Sequence, residues 1–157
     1  MAASQAQLAW ELIYHNCGLK NDGAAYCWGY WRYGILGDGD TSAHDAANPT
    51  AVIGSQRFTS ISLGASHTCG LKMGGSAFCW GSGYRGKLGD GDTSAHDVGT
   101  ATKVIGDQTF TQIAAGGEHT CGIKADGSVY CWGYGEFGTL GDGNTADHGV
   151  ATPSLIP

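Results

Sequence analysis

Apolar and polar residues alternate with period two along Phe110-Thr-Gln-Ile-Ala-Ala115 and along Phe58-Thr-Ser-Ile-Ser-Leu63, which predicts a β-strand in each. Two further short strands follow, His119 to Lys124 and Ser128 to Gly133, separated by Ala125-Asp126-Gly127. A glycine-punctuated loop, Gly138-Thr-Leu-Gly-Asp-Gly143, and a polar stretch to Pro153 complete the unit. Its fourth strand is expected at positions like Lys103-Val-Ile105.

The hairpin in the middle of the unit fixes its own register. Asn21-Asp22-Gly23 and Ala125-Asp126-Gly127 suit a three-residue loop whose glycine takes the left-handed position, and Met73-Gly74-Gly75 is a weaker version. Centring the first loop on Asp22 pairs Lys20 with Ala24, Leu19 with Ala25, Gly18 with Tyr26 and Cys17 with Cys27. The cysteines then occupy a non-hydrogen-bonded pair, where side chains approach most closely. Cross-strand disulfides Cys17–Cys27, Cys69–Cys79 and Cys121–Cys131 follow from this register.

The unit recurs. Cys17, Cys69 and Cys121 step by 52 residues, as do Trp28, Trp80 and Trp132 and also His44, His96 and His148. Three such units fill the 157-residue chain. The expected fold is all-β, with β-propeller-type blades in three four-stranded repeats at about 5–56, 57–108 and 109–157. The first repeat departs at its start, where Ala6 stands in the place of Phe58 and Phe110, and Leu12-Ile13 in that of Gly64-Ala65 and Gly116-Gly117. An edge strand, a cap and a short helix through Ala6 to Tyr14 all remain open for this segment.

The run FTQIAAGGEHTCGIKADGSVYCWGYGEFGTLGDG, Phe110 to Gly143, resembles the repeat of the regulator of chromosome condensation family. The combination of G-x-x-H, D-G, W-G and G-x-L-G carries the resemblance over essentially the whole chain. It implies propeller blades; in the founding members seven close a ring that acts on a small GTPase and chromatin. The cysteine-bearing form is similar to extracellular and bacterial repeats used as binding scaffolds.

Composition agrees with short strands and tight turns: 28 glycines, 14% charged residues and 10% aromatics. The net charge of −6 and the scattered eight Lys and Arg argue against a nucleic-acid partner. No stretch is apolar enough for membrane insertion. Six cysteines in repeat-equivalent places point to an oxidising, extracellular or cell-surface setting, with free or redox-active thiols as the alternative. The opening MAASQAQLAWELIYHN lacks the basic n-region and long apolar run of a signal peptide.

Candidate chemistry is sparse. The cysteines of a hairpin lie ten apart rather than at zinc-finger spacing. His15, His67 and His119 precede the hairpins and are read as ties from a strand end to a neighbouring carbonyl. The acidic loops Asp38–Asp45 and Asp90–Asp97 offer oxygens to a hard cation, but their spacing is wrong for an EF-hand. Asx-turn chemistry is the preferred reading of them. With no nucleophile motif or phosphate loop, the sequence points to no enzyme, metal or cofactor.

The copies differ most in the loops between W-G and L-G-D-G. These read Tyr30-Trp31-Arg32-Tyr33, Ser82-Gly83-Tyr84-Arg85 and Tyr134-Gly135-Glu136-Phe137. Tyr30, Trp31, Arg32, Tyr33, Tyr84, Arg85, Glu136 and Phe137 are therefore the candidate binding residues, as residue types enriched in interfaces and sugar-stacking surfaces. Packing between blades is the competing reading. Trp28, Trp80 and Trp132, the same in every copy, are read as core. The chain is expected to be a structural or protein-interaction module, with a lectin and an intracellular regulator as alternatives. Three blades leave two sheet faces uncovered, so the chain is expected to self-assemble, two copies closing a six-bladed ring or many forming an open array, with an excerpt of a longer propeller as the alternative.

Overall fold

The computed structural model describes residues 2–3, 15–30 and 32–157. Strands β1 (Ala2–Ala3), β2 (His15–Leu19), β3 (Ala25–Gly29) and β4 (Ala46–Ala51) form one sheet. The second contains β5 (Phe58–Leu63), β6 (His67–Lys72), β7 (Ala77–Ser82) and β8 (Asp97–Lys103). The third contains β9 (Gln112–Ala115), β10 (His119–Ile123), β11 (Val129–Tyr134) and β12 (Gly149–Leu155). Each is antiparallel with its strands in chain order.

The hairpins have the register that the turns dictate. Leu19 faces Ala25, Gly18 faces Tyr26 and Cys17 faces Cys27, and the same pairing recurs in the other two sheets. All three disulfides are formed, with Cα atoms 4.1 Å apart. In the first loop Gly23, at φ +81°, donates its N–H to the Lys20 carbonyl at 2.9 Å. The second loop needs two positive-φ residues, Gly74 at +87° and Gly75 at +84°, which is why its sequence differs.

The fourth strand lies earlier than Lys103–Ile105. It occupies the polar run Asp97–Lys103, while Val104 leaves the strand and turns its side chain into the core at 4% exposure. At the outer edge of a sheet the backbone ladder persists although neither face is deeply buried, so alternation fades as a signal.

The first sheet also has a displaced opening strand. Ala2 and Ala3 pair with Leu19 and Gly18, the positions that Ser60 and Ile61 occupy opposite Leu71 and Gly70. Ala2 lies 58 residues before Ser60, so the first repeat carries six extra residues ahead of its hairpin. The stretch 6–14, with its three open readings, lies outside the described residues.

A bulge in the pairing of β7 with β8 falls between Cys79 and Gly81, and its equivalents recur in the other two sheets. Gly81 has φ +106°, and a Cβ there would sit 2.7 Å from the Ser66 carbonyl oxygen, so the W-G dipeptide is a backbone requirement. The bulge sets Trp80 against the preceding blade. There it joins Ile35, Leu36 and Val52 of the first blade and lies 5.6 Å from Phe58. Trp132 does the same with Leu88 and Val104 of the second. The hydrophobic core therefore sits largely in the joints between blades. Trp80 and Trp132 are fully buried, but Trp28, with no described blade ahead of it, is only half-buried.

Candidate functional site at the blade joints

Each joint is tied by a relay that crosses from one repeat to the next. His15 Nε2 lies 3.0 Å from Thr68 Oγ1, and Thr68 donates to the Ile35 carbonyl at 3.3 Å. His67 Nε2 lies 2.8 Å from Thr120 Oγ1, which donates to the Lys87 carbonyl at 2.9 Å. A hydroxyl that gives its proton to a carbonyl must accept from the imidazole, so Nε2 carries a hydrogen in both rings. The histidines do tie strand ends to a neighbour, but through a threonine of the next blade rather than directly to a carbonyl. Burial lowers the pKa of His15 to about 4. It holds His67 well below the ordinary value, with Lys87 adding to the effect.

The second joint has a feature that the first lacks. Ile35, Lys87 and Thr139 are repeat equivalents, and Lys87 is 1% exposed. Its ammonium donates to Ser66 Oγ at 2.7 Å and to Glu118 of the third blade. Trp80 donates its indole N–H to the Ile35 carbonyl at 2.9 Å, whereas the buried Trp132 Nε1 has no hydrogen-bond partner among the described residues.

The variable loops run over the joints. Tyr33, Arg85 and Phe137 all adopt left-handed backbone, with φ of 65°, 64° and 58°, although none is glycine. The same strained position recurs in all three copies with a different large side chain in each. Arg85 reaches onto the third blade. Its guanidinium forks onto Asp147, lies 4.6 Å from the Tyr134 ring and 5.1 Å from that of Tyr84. Hydrogen bonds to Tyr84 and Asp147 raise its pKa. Tyr134 donates to Glu136 Oε2 at 2.6 Å, the main reason its own pKa is pushed up to about 12.

Tyr33 is the equivalent of Arg85 in the first blade. With Ser82, Tyr84, Lys87, His96 and Glu118 it lines a cleft of about 410 Å³ shared by three blades. The structure thus gathers Tyr33 and Tyr84 in one cleft, with Arg85 and Glu136 in the adjoining cluster. Arg32 lies 5.9 Å from the Tyr30 ring. Phe137 stands out at 83% exposure, and Trp31 lies outside the described residues. Lys87, Glu118, Ser66 and Asp147 were missed by sequence reasoning. The available signal was a lysine among repeat-equivalent Ile35 and Thr139, directly before the buried Leu88.

The acidic loops spend their oxygens on themselves. Asp40 Oδ1 accepts from the Ser42 N–H at 2.7 Å and Asp92 Oδ1 from the Ser94 N–H at 2.7 Å. His96 places Nε2 2.8 Å from Asp90 and Nδ1 3.0 Å from the Ser94 carbonyl. Two acceptors suit an imidazolium; burial opposes the charge, but the carbonyl and the carboxylate outweigh it and the pKa of His96 is raised. His148 is raised likewise by the Ala146 carbonyl and Asp142.

Models of the regulator of chromosome condensation (RCC1) repeat match residues 22–71, 74–123 and 126–157, and a second model of the repeat matches 58–87 and 110–139. The chain belongs to the RCC1 repeat family. Its RCC1 repeats are 31% identical over 133 residues to the ultraviolet-B receptor UVR8 of Arabidopsis thaliana, covering 85% of this chain and 30% of that protein. They are also 31% identical over 133 residues to the human E3 ubiquitin-protein ligase HERC2, covering 83% of this chain and 3% of that protein. Yeast RCC1 (Prp20), solved bound to Kap60, superposes with a TM-score of 0.80 at 24% identity, over 92% of this chain and 35% of Prp20. The three sheets are RCC1-type β-propeller blades, and the chain spans about a third or less of these relatives.

Proposed function

We propose that this chain is a non-enzymatic protein-interaction module of RCC1-type blades that assembles with further copies of itself. Its loops at 30–33, 82–85 and 134–137 present a recognition surface to a protein partner. The observation that carries this reading is the left-handed Tyr33, Arg85 and Phe137, three different large side chains set at one strained position of an otherwise repeated scaffold. Support from relatives is of the same kind, since Prp20 is solved with a bound protein, Kap60. Three disulfides support an extracellular or cell-surface setting.

A glycan is the second reading, favoured by the cleft that Tyr33 and Tyr84 line together with Ser82 and Glu118. Binding of the purified chain to arrayed surface and secreted proteins of its source, and in parallel to a glycan array, separates the two. The protein reading expects saturable binding to a protein that Tyr33→Ser/Tyr84→Ser weakens. Signal on glycans alone, lost in the same variant, would replace it with the lectin.

A further inference from the structure

Inside the chain, one blade meets the next by three contacts that recur at equivalent positions. The left-handed residue lies over the following loop: Tyr33 shares its cleft with Ser82 and Ala95, and Arg85 rests on Tyr134 and Asp147. The glycine after it abuts the next fourth strand. A Cβ at Gly34 would come within 2.7 Å of the Gly99 Cα, and one at Gly86 within 2.7 Å of the Ala151 Cα. The next tryptophan fills a slot beside the L-G turn. Trp80 lies against Gly37, which also touches Val52, and Trp132 against Gly89, which also touches Val104.

The outgoing side of the third blade has the same three elements, uncovered by any described blade. Phe137 is 83% exposed. Among the described residues Gly138 meets only Thr145 and Asn144 of its own loop, and the slot beside Gly141 holds only Ile156, half-buried where Val52 and Val104 are buried. The incoming side of the first blade carries the matching set. Tyr30 stands at the position of Tyr134 and is 43% exposed; Ala43 stands at that of Asp147, the small Ala47 at that of Ala151, and Trp28 is half-buried.

We infer that the outgoing face of the third blade docks on the first blade of a second copy, Phe137 over Tyr30, Gly138 against Ala47 and Trp28 in the slot beside Ile156. The inference rests on the self-assembly reading and names its surface. Two copies joined this way at both ends close a six-bladed ring through two identical joints related by a twofold axis, within the blade numbers that propellers use. A large exposed aromatic seated on another aromatic is also the type of contact that dominates interface energies.

The test transplants the internal contact into the joint between copies. Phe137→Arg puts an isolated arginine in the joint, and adding Ala43→Asp supplies the carboxylate that Asp147 offers to Arg85. In a concentration series by analytical ultracentrifugation, Phe137→Arg is expected to raise the dissociation constant about tenfold or more, and Phe137→Arg/Ala43→Asp to bring it back toward the parent's. Because Phe137 is exposed, urea unfolding at low concentration is expected to show both variants folded. An oligomeric parent whose affinity is unmoved by Phe137→Arg, or not restored by Ala43→Asp, would overturn this surface while leaving assembly through another. A monomeric parent would remove the assembly reading and this inference together.

Discussion

Lys87 of the second blade crosses the joint to Glu118 of the third, a buried ammonium held by a carboxylate that is itself 42% exposed. In the first joint the same places hold Ile35 and Ser66, so two joints of one scaffold are made with different chemistry.

Removing one partner is expected to cost more than removing both. Glu118→Ser leaves the ammonium buried with Ser66 alone and should destabilise the chain by about 2–3 kcal/mol, less than a fully buried pair because water already reaches Glu118. Lys87→Ile/Glu118→Ser converts the second joint into the first and should recover most of that loss. Urea unfolding of both variants checks this; a double variant no more stable than Glu118→Ser would contradict it.

The relay histidines set the pH response. His15 and His67 have pKa values lowered by burial, so the unfolded chain binds protons that the folded one does not, and their contribution is present above about pH 6.5 and lost as the pH falls through the folded values, about 4 for His15. His96 and His148, with raised values, act oppositely: they stabilise at low pH, and that contribution fades as the pH rises through their folded values. They lie in the surface loops and are screened, so the joints should dominate. Stability measured by denaturant is expected to fall between pH 7 and pH 5, with a shallower fall in His67→Gln.

Two glycines with positive φ should respond differently. Gly127, at φ +85°, has no described atom within 4 Å of a new Cβ, so Gly127→Ala is expected to cost about 1 kcal/mol for the backbone alone. Gly81→Ala adds a 2.7 Å approach to the Ser66 carbonyl and a clash at Ile35 and should cost well over twice as much. Equal losses in thermal or urea unfolding would mean that the bulge is not held by the joint.

Period-two alternation, turn chemistry and a strict 52-residue step make the hairpins, the cysteine pairs and the blade fold legible in the sequence. Elements governed by the neighbouring blade are not. The edge strand Asp97–Lys103 has no consistent buried face to mark it, and Ala2–Ala3 sits outside the repeat step. Identical tryptophans took different environments, because burial of Trp80 depends on Ile35 and Val52, 45 and 28 residues upstream. The cleft was half legible. Tyr33 and Tyr84 differed visibly between copies, but Glu118 gains its role only from a lysine one blade away.

These blades are proposed to be completed by contact with another copy. Light scattering on the purified chain, disulfides intact, measures it directly. The expected result is a discrete folded species at a multiple of the 16.2 kDa chain mass, two copies for the closed ring, and a well-folded, non-aggregating species at 16.2 kDa across the concentration range would contradict it.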